Sequence, residues 1–151
     1  MTSITPFLWF DDNAQDAIEL YSQVFSDARV LDRQNGPDGK LFTATIELAG
    51  QQIFLLNAGP GHPFTDAISL FVSCADQAEV DRYWDALTAD GGAPGPCGWL
   101  TDRFGLSWQI VPEAMSRLLN DPDREKAQRV MQAMMGMSKI EVAGLEAAYR
   151  G

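Results

Sequence analysis

Apolar and polar positions along the chain change period several times, and each change predicts an element. Residues 4–10 (ITPFLWF) are short, apolar and aromatic, which favours a strand. Asp12, with Gln15 three residues on, has the spacing of a capping box. Ala14, Ala17, Ile18, Tyr21 and Phe25 then recur at helical spacing. Residues 29–33 suit a short strand, and Asn35-Gly36-Pro37-Asp38-Gly39 is dense in turn formers. Residues 41–48 and 52–57 read as two strands joined at Ala49-Gly50-Gln51. The first module is therefore β-α-β-β-β.

Residues 58–63 (AGPGHP) form a loop, and then the order begins again. Residues 67–73 suit a strand, and Asp76 with Glu79 repeats the capping-box spacing. Val80, Tyr83, Trp84 and Leu87 give the second helix its apolar face, and Gly91-Gly92 ends it. A turn-rich stretch, 93–96, leads into a hairpin of residues 97–101 and 106–111 across Asp102-Arg103-Phe104-Gly105. Past Pro112 the pattern is helical: 113–119, then a helix opened by Asp121-Pro122 and ended near Gly136, then 142–149. Two passes through strand, capped helix and antiparallel strands amount to an internal duplication. A sheet covered by a helix on one side keeps its other face open, and a cleft between two such modules is the expected place for a small ligand.

Composition narrows the class. The 151 residues are 46% apolar and 21% charged, enough to build a core without a disulfide or metal staple. They read as one domain, with module one at about 1–57, a linker at about 58–66, module two at about 67–112 and a helical tail at 113–151. The net charge is −10 and the 11 basic residues are scattered, so a phosphate backbone would be repelled and no nucleic-acid partner is expected. No apolar run approaches the ~18 residues of a membrane span, and the N-terminus lacks a basic stretch and apolar run, so no membrane partner is expected. Cys74 and Cys97, the two cysteines, lack CxxC spacing and read as reduced thiols. A soluble, cytoplasmic protein is the expectation.

Four segments together resemble a known family: LWFDDNAQDAIELYSQVF at 8–25, AISLFVSC at 67–74, CGWLTDRFGLSWQIVP at 97–112 and DPDREKAQRVMQAMMGMSKIE at 121–141. They are similar to the PhnB-like family labelled after a 3-demethylubiquinone-9 3-methyltransferase, in the vicinal oxygen chelate (glyoxalase/bleomycin resistance) superfamily. The hairpin pattern WL-x-D-x-FG-x-x-WQ is the most specific part. The resemblance implies an α+β fold of paired βαβββ modules, glyoxalase/bleomycin resistance/dioxygenase-like, with C-terminal helices. It also implies a homodimer, often with elements exchanged between partners. No reaction follows from it, because fold and function separate readily.

Metal-using members of that superfamily take one ligand from the first and last strand of each module. Carried over, those positions are Thr5 or Pro6, Leu56 or Asn57, Ala67, and Gln109. Gln109 is the plausible donor and Asn57 a poor second, too few for a catalytic ion, so no metal is expected. Methyl transfer from a nucleotide-like donor needs a glycine-rich turn between strand and helix. Gly59-Pro60-Gly61 is followed by a loop and then a strand, so no cofactor is expected either.

His62, the sole histidine, reads as an exposed loop residue or as a general base on a lid. Trp84 reads as core, while Trp99, between Gly98 and the hairpin turn, has the best claim to contact a ligand. Cys97 is the cysteine with more functional promise. Asp102 reads as a turn cap, and Met131, Met134, Met135 and Met137 as interface packing. Two functions follow. One is a binding protein for an unidentified small molecule, with an apolar, aromatic cleft and contacts from Asn57, Trp99 and Gln109. The other is a metal-independent isomerase or lyase using His62, Cys97 or Asp102.

Overall fold

The computed structural model describes residues 1–151, which divide into two compact units, Met1–Pro63 and Phe64–Gly151. In the first unit, β1 (Phe7–Phe10), α1 (Ala14–Val24), β2 (Arg29–Asn35), β3 (Leu41–Leu48) and β4 (Gln51–Asn57) build a sheet of order β1-β4-β3-β2. β2, β3 and β4 form an antiparallel meander, and β4 closes against β1 in parallel. Period-two alternation decides the faces: Ala44, Ile46 and Leu48 of β3 and Ile53 and Leu55 of β4 are buried. Against them packs the stripe Ala14, Ala17, Ile18, Tyr21 and Val24 of α1. The edge strand β2 is exposed throughout, is interrupted by two irregularities, and pairs Arg29 with Glu47 at 2.6 Å. Charge and irregular pairing are what discourage an edge from recruiting another strand.

The helix begins later than its sequence signal. Asn13, not Asp12, is the cap residue, and no side chain caps locally. Instead Asn57, at the end of β4, accepts from the Ala14 N–H at 2.9 Å and donates to the Leu41 carbonyl at 3.1 Å. A tertiary bond has replaced the local one, which no spacing rule could reveal.

The second unit repeats the plan. β5 (Leu70–Cys74), α2 (Gln77–Thr88), β6 (Ala93–Pro94), β7 (Trp99–Thr101) and β8 (Ser107–Pro112) form a sheet of order β5-β8-β7-β6. Here the capping signal holds: Asp76 accepts from the Glu79 N–H at 3.0 Å, and Glu79 reaches back to the Ala75 N–H at 2.9 Å. β5 starts at Leu70 rather than at residue 67. β6, read from sequence as part of a turn, pairs only Ala93 with Thr101 and Pro94 with Leu100. Two residues carry no periodicity, and a proline is tolerated there because the strand is an edge.

The tail folds as α3 (Glu113–Leu119), α4 (Arg124–Met135) and α5 (Val142–Arg150). Asp123 caps α4, accepting from the N–H groups of Glu125 and Lys126, whereas Asp121 accepts from the Asp123 N–H and the Tyr149 hydroxyl. The cap expected at Asp121 therefore lies two residues on. Met115, Leu118, Val130, Ile140 and Leu145 form a core with Val111 at the end of β8, with Met134 and Met137 packed against it. These two methionines fill the chain's own interior, while Met131 and Met135 stay exposed.

The β7–β8 hairpin closes on Asp102, only 2% exposed. Its Oδ1 accepts from the N–H groups of Phe104 (2.9 Å) and Leu106 (3.1 Å), and Oδ2 from Trp108 Nε1 (2.9 Å). Asp102→Asn presents an NH2 group where a donor already points. We expect it to destabilise the protein by about 2–3 kcal/mol, read as a lowered urea midpoint. An unchanged midpoint would show that the clasp contributes little.

Candidate functional site

Each sheet has one face under its helix and one open. In the first unit the open face carries Phe7 and Trp9 of β1, Phe54 and Leu56 of β4, and Thr43 and Thr45 of β3. Phe7 and Phe54 meet edge to face at 6.2 Å. Trp9 donates to the Gly59 carbonyl at 2.9 Å, and the exposed His62 ring lies 4.1 Å from the Trp9 ring. His62 is thus an exposed loop residue resting on an aromatic, as the simpler sequence reading had it. Asn57 does not join this face as a free polar contact, since both ends of its amide hold α1 and β3 together.

In the second unit, the register sets Trp99 opposite Gln109 and Thr101 opposite Ser107, all on the open face. Trp108 and Leu100 point the other way into the core, as does Trp84 of α2. Gln109 donates to Ser69 Oγ at 3.0 Å, which fixes its amide beside Trp99. Next to this pair lies a groove of about 320 Å³, walled by Pro94, Pro96, Trp99, Thr101 and Ser107, with Asp66 at one side. Its volume falls at the lower end of the range for small-ligand sites, roughly 300–1,000 Å³. Trp99 and Gln109, expected from sequence, are brought together. Pro94, Thr101, Ser107 and Asp66 were missed, because their shared surface depends on the short β6 pairing.

The tail braces one wall of the groove. Cys97 and Gly98 donate their N–H groups to the carbonyls of Met137 and Ser138, each at 2.8 Å. Ser138 Oγ in turn donates to the Gly95 carbonyl at 2.6 Å. Gly98 has φ +85°, and a Cβ there would lie 3.0 Å from the Ile110 carbonyl oxygen and 3.1 Å from Ile140 Cγ1, so a side chain would be both strained and crowded. Cys97 also adopts a positive φ, 57°, on the way into β7.

The residues do not fit a metal centre. Open-face positions on β1, β4, β5 and β8 are largely apolar (Phe7, Trp9, Phe54, Leu56 and Phe71), and the oxygens there belong to the amides of Gln52 and Gln109 and the hydroxyls of Ser73 and Ser107, with no carboxylate or imidazole among them. No group of three His, Cys, Asp or Glu stands together in the chain. Nor is there a dinucleotide-type cradle: Gly59 and Gly61 lie in an irregular loop leading to a strand, not at a helix N-terminus. No helix is long and apolar enough to cross a membrane.

Two four-stranded βαβββ sheets with a helical tail define the class, the vicinal oxygen chelate (glyoxalase/bleomycin resistance) fold. More narrowly, the family described as 3-demethylubiquinone-9 3-methyltransferase matches residues 2–111, and the chain belongs to that family. A Bacillus cereus PhnB protein carrying the same methyltransferase description is similar at 28% identity and a TM-score of 0.66, over 74% of this chain and 99% of that one. A Pseudomonas aeruginosa protein matches at 20% identity and a TM-score of 0.62, over 75% of this chain and 98% of that one. The fosfomycin resistance protein of Listeria monocytogenes, solved with Mn(II) and sulfate, matches at 16% and 0.53, over 72% and 89%, and shares the fold. No match was found among proteins of curated function. The family match ends at residue 111, just before α3.

The two thiols differ in kind. Burial pushes the Cys74 thiol up to about 11, whereas Cys97 is half-buried. Ellman's reagent at neutral pH should titrate one thiol per chain, lost in Cys97→Ser, with Cys74 reacting only after unfolding. Two equally fast thiols would contradict this. A native value raised from 9.0 to about 11 also means that Cys74 supports stability fully below pH 9 and progressively loses that contribution toward pH 11.

Proposed function

We propose that this chain is a small-molecule binding protein whose site is the groove on the open face of its second sheet. The observation that carries the reading is the half-buried Trp99 on the wall of a groove of about 320 Å³, with the amide of Gln109 fixed beside it. An indole supplies area and a flat face, and the Thr101 hydroxyl on the same wall supplies direction. Asn57 drops out of the contact set because it is occupied in α1's cap.

The enzymatic alternative, a metal-independent isomerase or lyase, has less support. Both Asp102 oxygens already accept hydrogen bonds in a buried turn, so that carboxylate is poorly placed to move protons. His62 rests on the Trp9 ring and belongs to none of the chain's ion pairs. Methyl transfer has no donor cradle among these residues, and the family's description is better taken as a label than as this chain's activity. A homodimer remains part of the reading: Phe7 and Phe71 are each 56% exposed, apolar surface of the kind a partner covers. The two free thiols and an acidic surface support a reducing, cytoplasmic setting.

Native mass spectrometry of freshly purified protein, with metal analysis on the same sample, tests this directly. We expect a metal-free dimer retaining a small-molecule adduct, with the adduct lost in Trp99→Ala. A tightly held divalent ion in each subunit, or an adduct indifferent to Trp99, would overturn the reading.

A further inference from the structure

The groove beside Trp99 carries a charge asymmetry that selects among ligands. Asp66 is the one ionisable residue along its wall, and no Lys or Arg lines it. Asp66 sits exposed in the turn before β5 and belongs to none of the chain's ion pairs, which are Arg29–Glu47, Arg103–Asp90 and Lys139–Asp81. Its carboxylate is therefore available to a ligand rather than committed to a partner side chain.

The remaining wall is flat and apolar. Pro94 and Pro96 contribute rigid rings, and Trp99 an indole face. Indole attracts cations through its quadrupole as well as stacking on flat ligands. Asp66 attracts the same sign of charge, and the whole chain carries −10, so the local and the global fields agree. Thr101 adds a hydroxyl that can accept from an ammonium N–H. An anionic ligand meets the opposite at every point. Phosphates, carboxylates and acidic nucleotides would bring negative charge to a groove with no cation to receive it. A bare divalent ion is equally ill served, since a single carboxylate is too few ligands to hold one.

Resting on the groove reading above, we infer that the ligand is a flat, ring-containing organic cation, an arylalkyl amine in class, recognised by Asp66 and Trp99 together. The amine meets the carboxylate and the ring lies among Trp99 and the two prolines. Such a ligand needs no metal, no donor cofactor and no acid–base pair, which matches the chemistry that the groove presents.

Three probes of one shape separate the possibilities: naphthylmethylamine, naphthylmethanol and naphthoate, titrated calorimetrically into the full chain at low and high salt. We expect the amine to bind roughly five- to tenfold more tightly than the alcohol, with the carboxylate weakest. High salt should narrow the gap. Asp66→Asn, a change at an exposed turn, should bring amine and alcohol together, and Trp99→Ala should weaken both. Equal binding of all three probes, or a gap that survives Asp66→Asn, would overturn the cation assignment while leaving the groove as a binding site. No binding by any probe, or binding unaffected by Trp99→Ala, would overturn the groove reading itself.

Discussion

A buried carboxylate holds the part of the molecule on which the site depends. Asp102 lies at the tip of the β7–β8 hairpin, 2% exposed, with hydrogen bonds from two backbone N–H groups and the Trp108 indole. Charge-assisted bonds of this kind compensate a desolvated anion that would otherwise be very costly to bury. The clasp locks the register in which Trp99 faces Gln109 and Thr101 faces Ser107. A slip of one residue would turn Trp99 into the core and Leu100 outward. The groove follows from that register, so a buried turn residue rather than any surface group determines which side chains line it.

The second support comes from the tail. β6 pairs through only two residues, too few to hold the wall Gly95–Gly98 by itself. Met137 and Ser138 complete it from the other side, through backbone and hydroxyl bonds. The tail is anchored in turn to α2: Gln77 donates to the Ile140 carbonyl and accepts from the Val142 N–H, and Lys139 pairs with Asp81 at 2.8 Å. That pairing holds the Lys139 ammonium above its ordinary value and the Asp81 carboxyl below. The family match stops at residue 111, so this brace lies outside the matched segment.

Much of the fold was legible because it rests on local period. Alternation along β3 and β4, helical spacing in α1 and α2, and the Asp76–Glu79 box all state their elements within a few residues. What was not legible depends on contacts distant in sequence. Asn57 entered the contact set as a ligand position carried over from the superfamily resemblance, yet its partner Ala14 is 43 positions away. The cap of α4 fell at Asp123 because two aspartates two residues apart, Asp121 and Asp123, compete and only geometry decides between them. Trp99, singled out in the hairpin, and Gln109, carried over from the resemblance, are register partners across β7 and β8. The groove beside them was not legible, since its proline wall belongs to a strand too short to announce itself and Asp66 stands far from both in sequence.

On the proposed reading, a small ligand binds at Trp99. The chain's four tryptophans give four indole N–H signals, a reporter in each region of interest: Trp9 on the first sheet, Trp84 and Trp108 in cores, Trp99 at the groove. Two-dimensional proton–nitrogen spectra during titration with naphthylmethylamine report on all four at once. Binding at the groove should shift the Trp99 indole and its register neighbour, the Gln109 side-chain amide, together and to saturation, while Trp84 and Trp108 stay in place. Saturating shifts at Trp9 or elsewhere, with Trp99 unmoved, would contradict it.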